Sequence, residues 1–437
     1  MDLEKASFIG ENFDIADVPV ALPNQVHLMN LRDYLGPNIE ENVETFEQVF
    51  RPLHREGYLL YHRRVSSAMG PRVSVFDHLK NRHQEMLMFG SNNYLGFAND
   101  PQIKAAVSAA IQEYGVGMAG PMILNGSGDL QKILEQEIAR FKGKEDAVVL
   151  PTGYQANLAW VNSLLSDDAV LLYDEASHAS LIDGIRLGRK KAFRFSEQNL
   201  NSLEDLFKKF RFRDSRRDIF VSVQGVFSMS GEISNLKEIS YICEKYRGFL
   251  VVDDAHGTGV LGGGKGTAEH FGIVDKLKLT MGTFSKAFAV TGGFLAGDAK
   301  TINFIRFFAR SYFFTASLPP MVCAAVLKGV DIIRNQPERV AKVHANASYL
   351  RERLKLAGIR HTNTGSAIVP IFPPVIGKFR EIAREIHEQN LFVNPIEPPA
   401  VPVGNERFRM SVMATHSTGD VDAAVEILQR VFKKFNA

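Results

Sequence analysis

Three groups of polar residues directly follow apolar runs that the sequence predicts to be strands. Asp174 and His178 come after one run, Asp253 and His256 after a second, and Lys286 after a third. In an open parallel sheet, ligands bind at the carboxyl ends of the strands. A single loop histidine is more often solvated or structural. Two histidines with carboxylates and a lysine at neighbouring strand ends instead predict a binding site at one sheet edge.

Lys286 is the strongest candidate for covalent chemistry. It lies in GTFSKA (282–287), among apolar residues and close to Thr283 and Ser285. A lysine in a dry environment has a lowered pKa and can act as an amine nucleophile that forms a Schiff base. An ordinary surface lysine would be the better interpretation if Lys286 stood alone.

A candidate phosphate site follows the first apolar run. Pro151-Thr152-Gly153-Tyr154 precedes a helical pattern, and a helix N-terminus offers free backbone N–H groups to an anion. The alternative is an ordinary strand-to-helix turn. A Schiff-base lysine, a carboxylate for a pyridine nitrogen, a flat group for the ring and phosphate donors form the set that pyridoxal 5′-phosphate (PLP) requires. Lys286, Asp253 and this turn therefore predict PLP as the cofactor.

These residues must be positioned by a regular alternation of strands and helices. Strands that alternate with amphipathic helical stretches predict an α/β fold, with a mostly parallel sheet covered by helices on both faces. Seven apolar runs are predicted to be its strands: Ala147–Leu150, Val170–Tyr173, Ala192–Phe195, Ile219–Val223, Phe249–Asp253, Leu277–Met281 and Gly293–Ala296.

The pattern divides the chain into three predicted parts. Residues 1–85 are an N-terminal arm with a helix near 41–56, residues 86–320 form the large domain, and residues 321–437 form a small α+β domain. The small domain is predicted to contain helices at 321–335, 339–357 and 420–435 and strands near 367–371 and 407–412. Within the large domain, Ser202-Leu-Glu-Asp205 resembles a capping box at the start of a helix.

The composition is that of an ordinary soluble protein. Of 437 residues, 45% are hydrophobic and 23% are charged, and 51 Lys and Arg against 49 Asp and Glu give a net charge of +2. This balance predicts no nucleic-acid binding. The two cysteines, Cys243 and Cys323, cannot form a disulfide scaffold. With no targeting signal and no long apolar run, we expect a cytoplasmic protein with at most peripheral membrane contact.

Several rival classes of site lack their required residues. Gly262–Thr267 is glycine-rich, but Gly266 follows Lys265 where a P-loop needs Ser or Thr. His387-Glu388 has no second histidine four positions on, so no metal site is predicted. The chain contains no Gly-x-Ser-x-Gly motif, which argues against a hydrolase of that type.

In combination, six motifs resemble those of the α-oxoamine synthases, PLP enzymes that condense an amino acid with an acyl thioester. The resemblance covers about residues 85–435 and implies the fold of PLP-dependent transferases of fold type I and a homodimer whose interface builds the active site. The motifs are GSNNYLG (90–96), DEASHAS (174–180), GVFSMSG (225–231), VDDAHGTG (252–259), GTFSKA (282–287) and GGF (292–294).

The resemblance implies a role for each matching residue around the cofactor ring. Lys286 would hold PLP as a Schiff base and later move the Cα proton of the substrate. Asp253 would pair with the pyridinium nitrogen, and His178 would stack on the ring. His256 and Ser228 would lie near the phenolic oxygen.

Further matching residues would bind the phosphate and the substrate. Asn93 and Arg409 match the positions that bind the substrate carboxylate, Arg409 as a bidentate fork. Thr315 matches a residue that reaches across a dimer interface to the phosphate of the neighbouring subunit. The phosphate would otherwise be held by Gly153, Tyr154, Thr283 and Ser285.

The implied reaction is a decarboxylative Claisen condensation of a small L-amino acid with an acyl thioester, either acyl-CoA or acyl carrier protein, to give an α-amino ketone. Residues 312–320, 365–371 and 394–404 are most similar to the bacterial serine palmitoyltransferases, which favours serine. Residues 115–119 and 226–236 also resemble 2-amino-3-ketobutyrate CoA ligases. An 8-amino-7-oxononanoate synthase is a further alternative. An aminotransferase and a non-catalytic subunit are disfavoured, the latter because Lys286 is present.

Four departures from the family pattern, at five positions, leave the acyl chain and its carrier open. They are Pro121-Met122, Gln131, Gln224 and Val401, where the family commonly has Ser-Arg, His, an acidic residue and Thr. The basic run between 208 and 217 is best interpreted as a solvated helix end. The alternative is a docking site for an acidic acyl carrier protein or an anionic membrane.

Overall fold

The computed structural model describes residues 24, 36–214 and 216–436. Within these residues, the strands form three sheets of seven, four and three strands. The strands are β1 (Arg64–Val65), β2 (Arg72–Asp77), β3 (Arg82–Met88), β4 (Asp146–Leu150), β5 (Val170–Asp174), β6 (Lys191–Phe195), β7 (Ile219–Gln224), β8 (Phe249–Asp253), β9 (Leu277–Thr283), β10 (Gly293–Gly297), β11 (Ile368–Ile371), β12 (Leu391–Phe392), β13 (Asn394–Ile396) and β14 (Arg407–Ser411).

The seven-stranded sheet has the order β4-β10-β9-β8-β7-β5-β6. Strand β10 pairs antiparallel with both β4 and β9, and the other pairings are parallel. Every residue of β7 is buried, as expected for a central strand covered on both faces. Each of the seven predicted runs is a strand of this sheet, so the predicted fold class is confirmed.

Helices cover both faces of the large sheet because alternate strand residues point to opposite sides. Val148 and Leu150 pack in one core with Trp160, whereas Ala147 and Val149 pack in another with Leu134. The helices are α1 (Ile39–Arg55), α2 (Pro101–Tyr114), α3 (Asp129–Phe141), α4 (Gly153–Leu164), α5 (Ala179–Gly188), α6 (Leu200–Arg213), α7 (Leu236–Lys245), α8 (Thr267–Phe271), α9 (Ala299–Phe308), α10 (Arg310–Phe313), α11 (Pro320–Asn335), α12 (Glu338–Leu356), α13 (Phe379–Glu388) and α14 (Thr418–Asn436).

The C-terminal region has its own core. The antiparallel sheet β11-β14-β13 packs with α12, α13 and α14 around Leu350, Ile382, Phe408 and Leu428. The four-stranded sheet β1-β2-β3-β12 joins the chain before residue 89 to this region, since β12 pairs parallel with β3. The boundaries at 85 and 320 stay predictions.

One local prediction was wrong. Helix α6 begins at Leu200 after Asn199, and Ser202 lies inside the helix, where its hydroxyl donates to the carbonyl of Asn199 at 2.6 Å. The predicted capping box was therefore placed too late. In the described part of the chain, no helix combines the length and the apolar character needed to cross a bilayer.

Candidate active site

A cavity of about 280 Å³ lies at the carboxyl edge of the large sheet. It is lined by the turns that follow β4, β5, β8 and β9 and by the end of β7. The structure thus brings together eight predicted residues as cavity lining: Gly153, Tyr154, His178, Asp253, His256, Thr283, Ser285 and Lys286.

Lys286 follows β9 and is surrounded by groups of both charges. Burial lowers the pKa of Lys286 to about 8; the carboxylate of Asp253 opposes this shift, and the guanidinium of Arg409 adds to it. An ordinary lysine has a pKa near 10.4. Lys286 is therefore partly uncharged near neutral pH, as an amine nucleophile or a base must be.

The carboxylate of Asp253 is held by a side-chain amide on α4. Asn157 Nδ2 donates to Asp253 Oδ2 and to Ser180 Oγ, each at 2.9 Å. Trp160 Nε1 donates to Asn157 Oδ1 at 3.1 Å. Because an indole N–H is only a donor, this contact fixes the orientation of the amide. Asp253 consequently has a defined position facing the cavity.

His178 lies immediately before α5 and accepts a hydrogen bond from its first turn. The backbone N–H of Ser180 donates to His178 Nδ1 at 3.2 Å, and Ser180 Oγ lies 2.8 Å from the same nitrogen. A ring nitrogen that accepts from an N–H carries no proton, so the neutral ring is protonated at Nε2. Burial lowers the pKa of His178; Asp253 opposes this shift, and Lys286 adds to it.

His256 contacts a tyrosine that the sequence analysis did not select. The hydroxyl of Tyr94 lies 2.8 Å from His256 Nδ1 and 3.3 Å from Asn92 Oδ1. Burial holds the pKa of His256 well below its usual range, and the charges of Lys286 and Arg409 lower it further. Burial also raises the pKa of Tyr94 to about 12, so its hydroxyl keeps its proton.

Arg409 reaches the site from β14 of the three-stranded sheet. Its Nη1 donates to the carbonyl of Ser228 at 3.2 Å, and its Nη2 donates to Asn92 Oδ1 at 3.0 Å. Its buried Nε has no hydrogen-bond partner among the residues that the structure describes. A guanidinium with a free N–H at its edge can bind a carboxylate.

The asparagine that contacts Arg409 is Asn92, whereas the sequence analysis selected its neighbour, Asn93. Asn93 is 4% exposed, and its Oδ1 accepts from the backbone N–H of Ala98 at 3.1 Å. The structure therefore pairs Arg409 with Asn92 and not with Asn93. Both lie in the same motif, so the motif indicated the loop but not which amide faces the site.

Two other predicted residues lie beside the cavity and do not line it. Ser228 lines a second cavity of about 590 Å³, which shares His178 with the first. The hydroxyl of Thr315 accepts from Gln155 Nε2 at 3.2 Å, near the start of α4.

The start of α4 has the features of an anion site. The N–H groups of the first helical residues, Gly153 and Tyr154, have no partner within the helix. A Cβ at Gly153 would lie 2.9 Å from Thr283 Cβ, so only glycine allows this close approach of α4 to β9. The phenolic oxygen of Tyr154 is hydrogen-bonded to the carboxylate of Asp183.

Two hydroxyls face the same turn. Thr283 Oγ1 donates to the carbonyl of Gly292 at 3.0 Å, and Ser285 Oγ lies 2.9 Å from Thr283 Oγ1. Since the proton of Thr283 is used by Gly292, Ser285 donates to Thr283 Oγ1 here, and rotation of its hydroxyl would turn this donor toward an anion at the turn. Together with the N–H groups of α4, this hydroxyl fits a phosphate.

A buried ion pair supports the turn that carries His256. Lys142 Nζ lies 2.8 Å from Asp254 Oδ2, and both side chains are almost completely buried. The hydroxyls of Thr258 and Thr267 donate to the same carboxylate at 2.9 and 2.6 Å. The sequence analysis missed this pair, although the Asp253-Asp254 doublet was a signal for it.

A lysine with a lowered pKa, a fixed carboxylate and an anion-binding helix start, all at the carboxyl edge of this sheet, define a PLP-dependent transferase of fold type I. The family model for class I and II aminotransferases matches residues 84–428. The serine palmitoyltransferase of Sphingobacterium spiritivorum is 38% identical over 397 residues, covering 91% of this chain and 97% of that protein.

The 8-amino-7-oxononanoate synthase of Fervidobacterium nodosum is 35% identical over 399 residues, which cover 90% of this chain and 99% of that protein. The solved structure of Sphingomonas wittichii serine palmitoyltransferase has a TM-score of 0.85 at 28% identity, covering 91% of this chain and 99% of the other. The chain belongs to the class I and II aminotransferase family and, within it, to the α-oxoamine synthases. It is a PLP-dependent enzyme, and related solved structures contain PLP.

Proposed function

We propose that this enzyme condenses L-serine with a long-chain acyl thioester, with loss of CO₂ and of the thiol, to give an α-amino ketone. The observation that carries the proposal is the closeness of three charged groups: Lys286 and Asp253 line one cavity, and Arg409 lies beside it. The pKa of Lys286 responds to both other charges, so the three groups lie within electrostatic reach of one another. An amine, a carboxylate and a guanidinium can serve the aldehyde, the pyridine nitrogen and the substrate carboxylate, respectively.

The residues present fit PLP. Lys286 would hold it covalently, Asp253 would keep its pyridine nitrogen protonated, and Gly153, Tyr154 and Ser285 would hold its phosphate. When bound, PLP supplies an electron sink for a carbanion at the substrate Cα. The orphan N–H groups at the start of α4 and the lowered pKa of Lys286 support this assignment.

Lys286 is proposed to move the Cα proton of the amino acid. A base works best when its pKa lies close to the working pH. With a pKa of about 8, its Nζ can accept a proton and later return it. Asp253 cannot easily turn away, because Asn157 holds its Oδ2.

Arg409 is proposed to bind the carboxylate of serine. Ser228 and Asn92 each accept from one terminal nitrogen, and Nε–H, buried and unpaired among the described residues, remains for the substrate. A partner for this N–H removes the cost of a buried unsatisfied donor. The same contact orients the carboxylate group in the site.

The second cavity is proposed to receive the acyl chain. Phe227, Met229, Pro399 and Val401 give it an apolar wall, and His178 joins it to the first cavity. Val401 is 6% exposed and replaces the threonine that is common in the family, which adds to the apolar surface. Burial of methylene groups at about 0.8 kcal/mol each favours a long chain.

The basic segment at 208–217 is not assigned to the acyl donor. Helix α6 has 14 residues, about 21 Å at 1.5 Å per residue, and begins near the carboxyl edge of the sheet. Its basic end therefore lies toward the opposite edge, far from both cavities. Lys208 is also paired with Glu204 and Asp205. We keep its interpretation as a solvated helix end.

A homodimer is part of the proposal. Phe307, Phe308 and Phe314 are 58, 61 and 70% exposed, and Leu124 is 75% exposed and lines one groove with Phe307. Large exposed apolar surfaces commonly mark protein interfaces. Thr315 follows this aromatic surface directly, which suits a residue that reaches a neighbouring subunit. Sedimentation of the holoenzyme should give twice the chain mass; a monomer would contradict this part.

The substrate test is a titration of the PLP-loaded enzyme with glycine, alanine, serine and threonine, followed by the visible absorbance of the cofactor. We expect serine to bind best and to be condensed with palmitoyl-CoA or a palmitoylated carrier protein. Preference for alanine would favour the 8-amino-7-oxononanoate synthase alternative, which the relative from Fervidobacterium nodosum supports. Formation of a keto acid without thiol release would instead show transamination.

A further inference from the structure

Each of the two histidines in the site has a neutral hydroxyl on its Nδ1. Ser180 Oγ lies 2.8 Å from His178 Nδ1, and Tyr94 OH lies 2.8 Å from His256 Nδ1. Each hydroxyl also contacts an asparagine side chain. The two arrangements differ in the amide atom that contacts the hydroxyl. Asn157 presents its Nδ2 to Ser180, whereas Asn92 presents its Oδ1 to Tyr94.

The proton between Ser180 and His178 has one allowed position. Asn157 presents its Nδ2 to Ser180, because its Oδ1 accepts from the indole of Trp160. Ser180 Oγ accepts from Asn157, and it donates to His178 Nδ1, because that nitrogen accepts from a backbone N–H and has no proton to give. The backbone N–H of Ser180 donates to the same nitrogen, so a proton on Nδ1 would face two donors. His178 is locked in one tautomer.

The proton between Tyr94 and His256 has two acceptors. Asn92 presents its Oδ1, because Arg409 Nη2 donates to it at 3.0 Å. Tyr94 OH can donate to His256 Nδ1 at 2.8 Å or to Asn92 Oδ1 at 3.3 Å. Ser411 Oγ also donates to Asn92 Oδ1 at 3.3 Å. While Arg409 and Ser411 occupy this oxygen, the Tyr94 proton is directed to His256.

A carboxylate on Arg409 changes this balance. It offsets the guanidinium charge, weakens the hydrogen bond to Asn92 and leaves Asn92 Oδ1 a better acceptor for Tyr94. Burial and Lys286 are the larger causes of the low pKa of His256, and the carboxylate also offsets the Arg409 charge that lowers it further. Both effects favour uptake of a proton from solvent at His256 Nδ1, which then donates to the oxygen of Tyr94 while Nε2 keeps its own proton.

We infer that Asn92 and Tyr94 are positioning residues that transmit occupancy of the Arg409 carboxylate site to His256, by turning the Tyr94 hydroxyl from His256 Nδ1 to Asn92 Oδ1. The inference rests on the proposed role of Arg409 and deepens it. When Arg409 is free, His256 presents Nε2–H to the cavity, and binding of the amino acid raises the proton occupancy of its Nδ1.

The test uses the holoenzyme labelled with ¹⁵N-histidine and the probe 3-hydroxypropionate, which has the carboxylate and hydroxyl of serine but no amine to react with PLP. The His256 signal is assigned by its loss in His256→Gln. We expect saturating probe to move the His256 Nδ1 resonance toward that of a protonated nitrogen, while the His178 Nδ1 resonance stays in place.

Tyr94→Phe and Asn92→Ala should each bind the probe yet lose most of the His256 shift. Ser180→Ala, the matched change beside the other histidine, should keep it. An undiminished shift in both Tyr94→Phe and Asn92→Ala, or no shift in the wild type at saturation, would overturn the inference. Failure of the wild type to bind the probe would overturn the carboxylate site and the inference together.

The inferred coupling of Arg409 to His256 through Asn92 and Tyr94 and the proposed reaction can fail separately. A wild-type shift that Tyr94→Phe largely removes, in an enzyme that forms no amino ketone from serine, would support the inference about Asn92 and Tyr94 and reject the reaction. Amino ketone formation with no probe-dependent shift of the His256 resonance would support the reaction and reject the inference.

Discussion

The half of the site built on the large sheet and the half that comes from the C-terminal region are held in different ways. Asp253 and His178 have their hydrogen-bond partners within the large-sheet region, in Asn157, Trp160 and Ser180. Arg409, on β14, is instead held by partners that lie outside its own sheet. The groups proposed to serve the cofactor are thus fixed within one region, whereas the proposed binding of the substrate carboxylate depends on how two regions pack together.

The largest expected effect concerns Lys286, in the large-sheet half. Lys286→Ala should retain its fold but lose covalent attachment of PLP and at least about 10³-fold in condensation rate, because both nucleophile and base are removed. Borohydride reduction followed by mass spectrometry of the peptide containing residue 286 measures the attachment. A reduced adduct on another lysine, with activity retained, would refute the assignment.

In the C-terminal half, Arg409→Lys should raise the KM for the amino acid about 10- to 100-fold, since one charged hydrogen bond contributes about 1.5–3 kcal/mol. PLP should still be attached to Lys286, because the two halves are held separately. Steady-state kinetics and the cofactor absorbance measure the two properties. Loss of PLP together with the KM effect would show that the halves are not independent.

A smaller effect is expected from Asn157→Ala, which leaves Asp253 Oδ2 and the indole N–H of Trp160 without this partner. We expect a loss of about 1–3 kcal/mol in the free energy of unfolding of the cofactor-free enzyme. Asn162→Ala is the matched control, because Asn162 on the same helix donates only to the carbonyl of Leu158 in this structure. Urea unfolding should show a change within about 0.5 kcal/mol for the control; equal losses in the two variants would refute the role of Asn157.

The smallest expected effect concerns the pH dependence of PLP attachment to Lys286. The rate at which PLP attaches to the cofactor-free enzyme should rise as the pH passes about 8, because only the uncharged amine of Lys286 attacks an aldehyde. The folded enzyme releases this proton at lower pH than the unfolded chain does. The unfolded state therefore binds more protons between about pH 8 and 10, and the stability contribution of this group should rise with pH in that window. A rate midpoint near 10.4, the value of an ordinary lysine, would contradict the structure.

The large sheet and its edge were predictable from the sequence because each strand is a short apolar run followed by polar or small residues. Asp253, His178 and Lys286 could be selected because they stand at or shortly after the ends of such runs. Asn157 could not, since it is an amide inside a helix whose partners, Ser180 and Asp253, are 23 and 96 positions away. Only the packing of α4 on the sheet brings them together.

The C-terminal half was less predictable for a related reason. Asn92 and Asn93 are adjacent, and the backbone of their loop decides which amide faces Arg409. Tyr94 is 1% exposed, and the sequence predicts an ordinary core residue at this position, although its hydroxyl contacts His256. Contacts made between regions leave little signal in either stretch of sequence.

The most direct test of the proposed reaction is the release of labelled CO₂ from carboxyl-labelled L-serine. We predict release that depends on a long-chain acyl thioester, equals the thiol released and is absent in Lys286→Ala. Release of CO₂ without the thioester, or consumption of serine with no CO₂, would contradict a decarboxylative condensation.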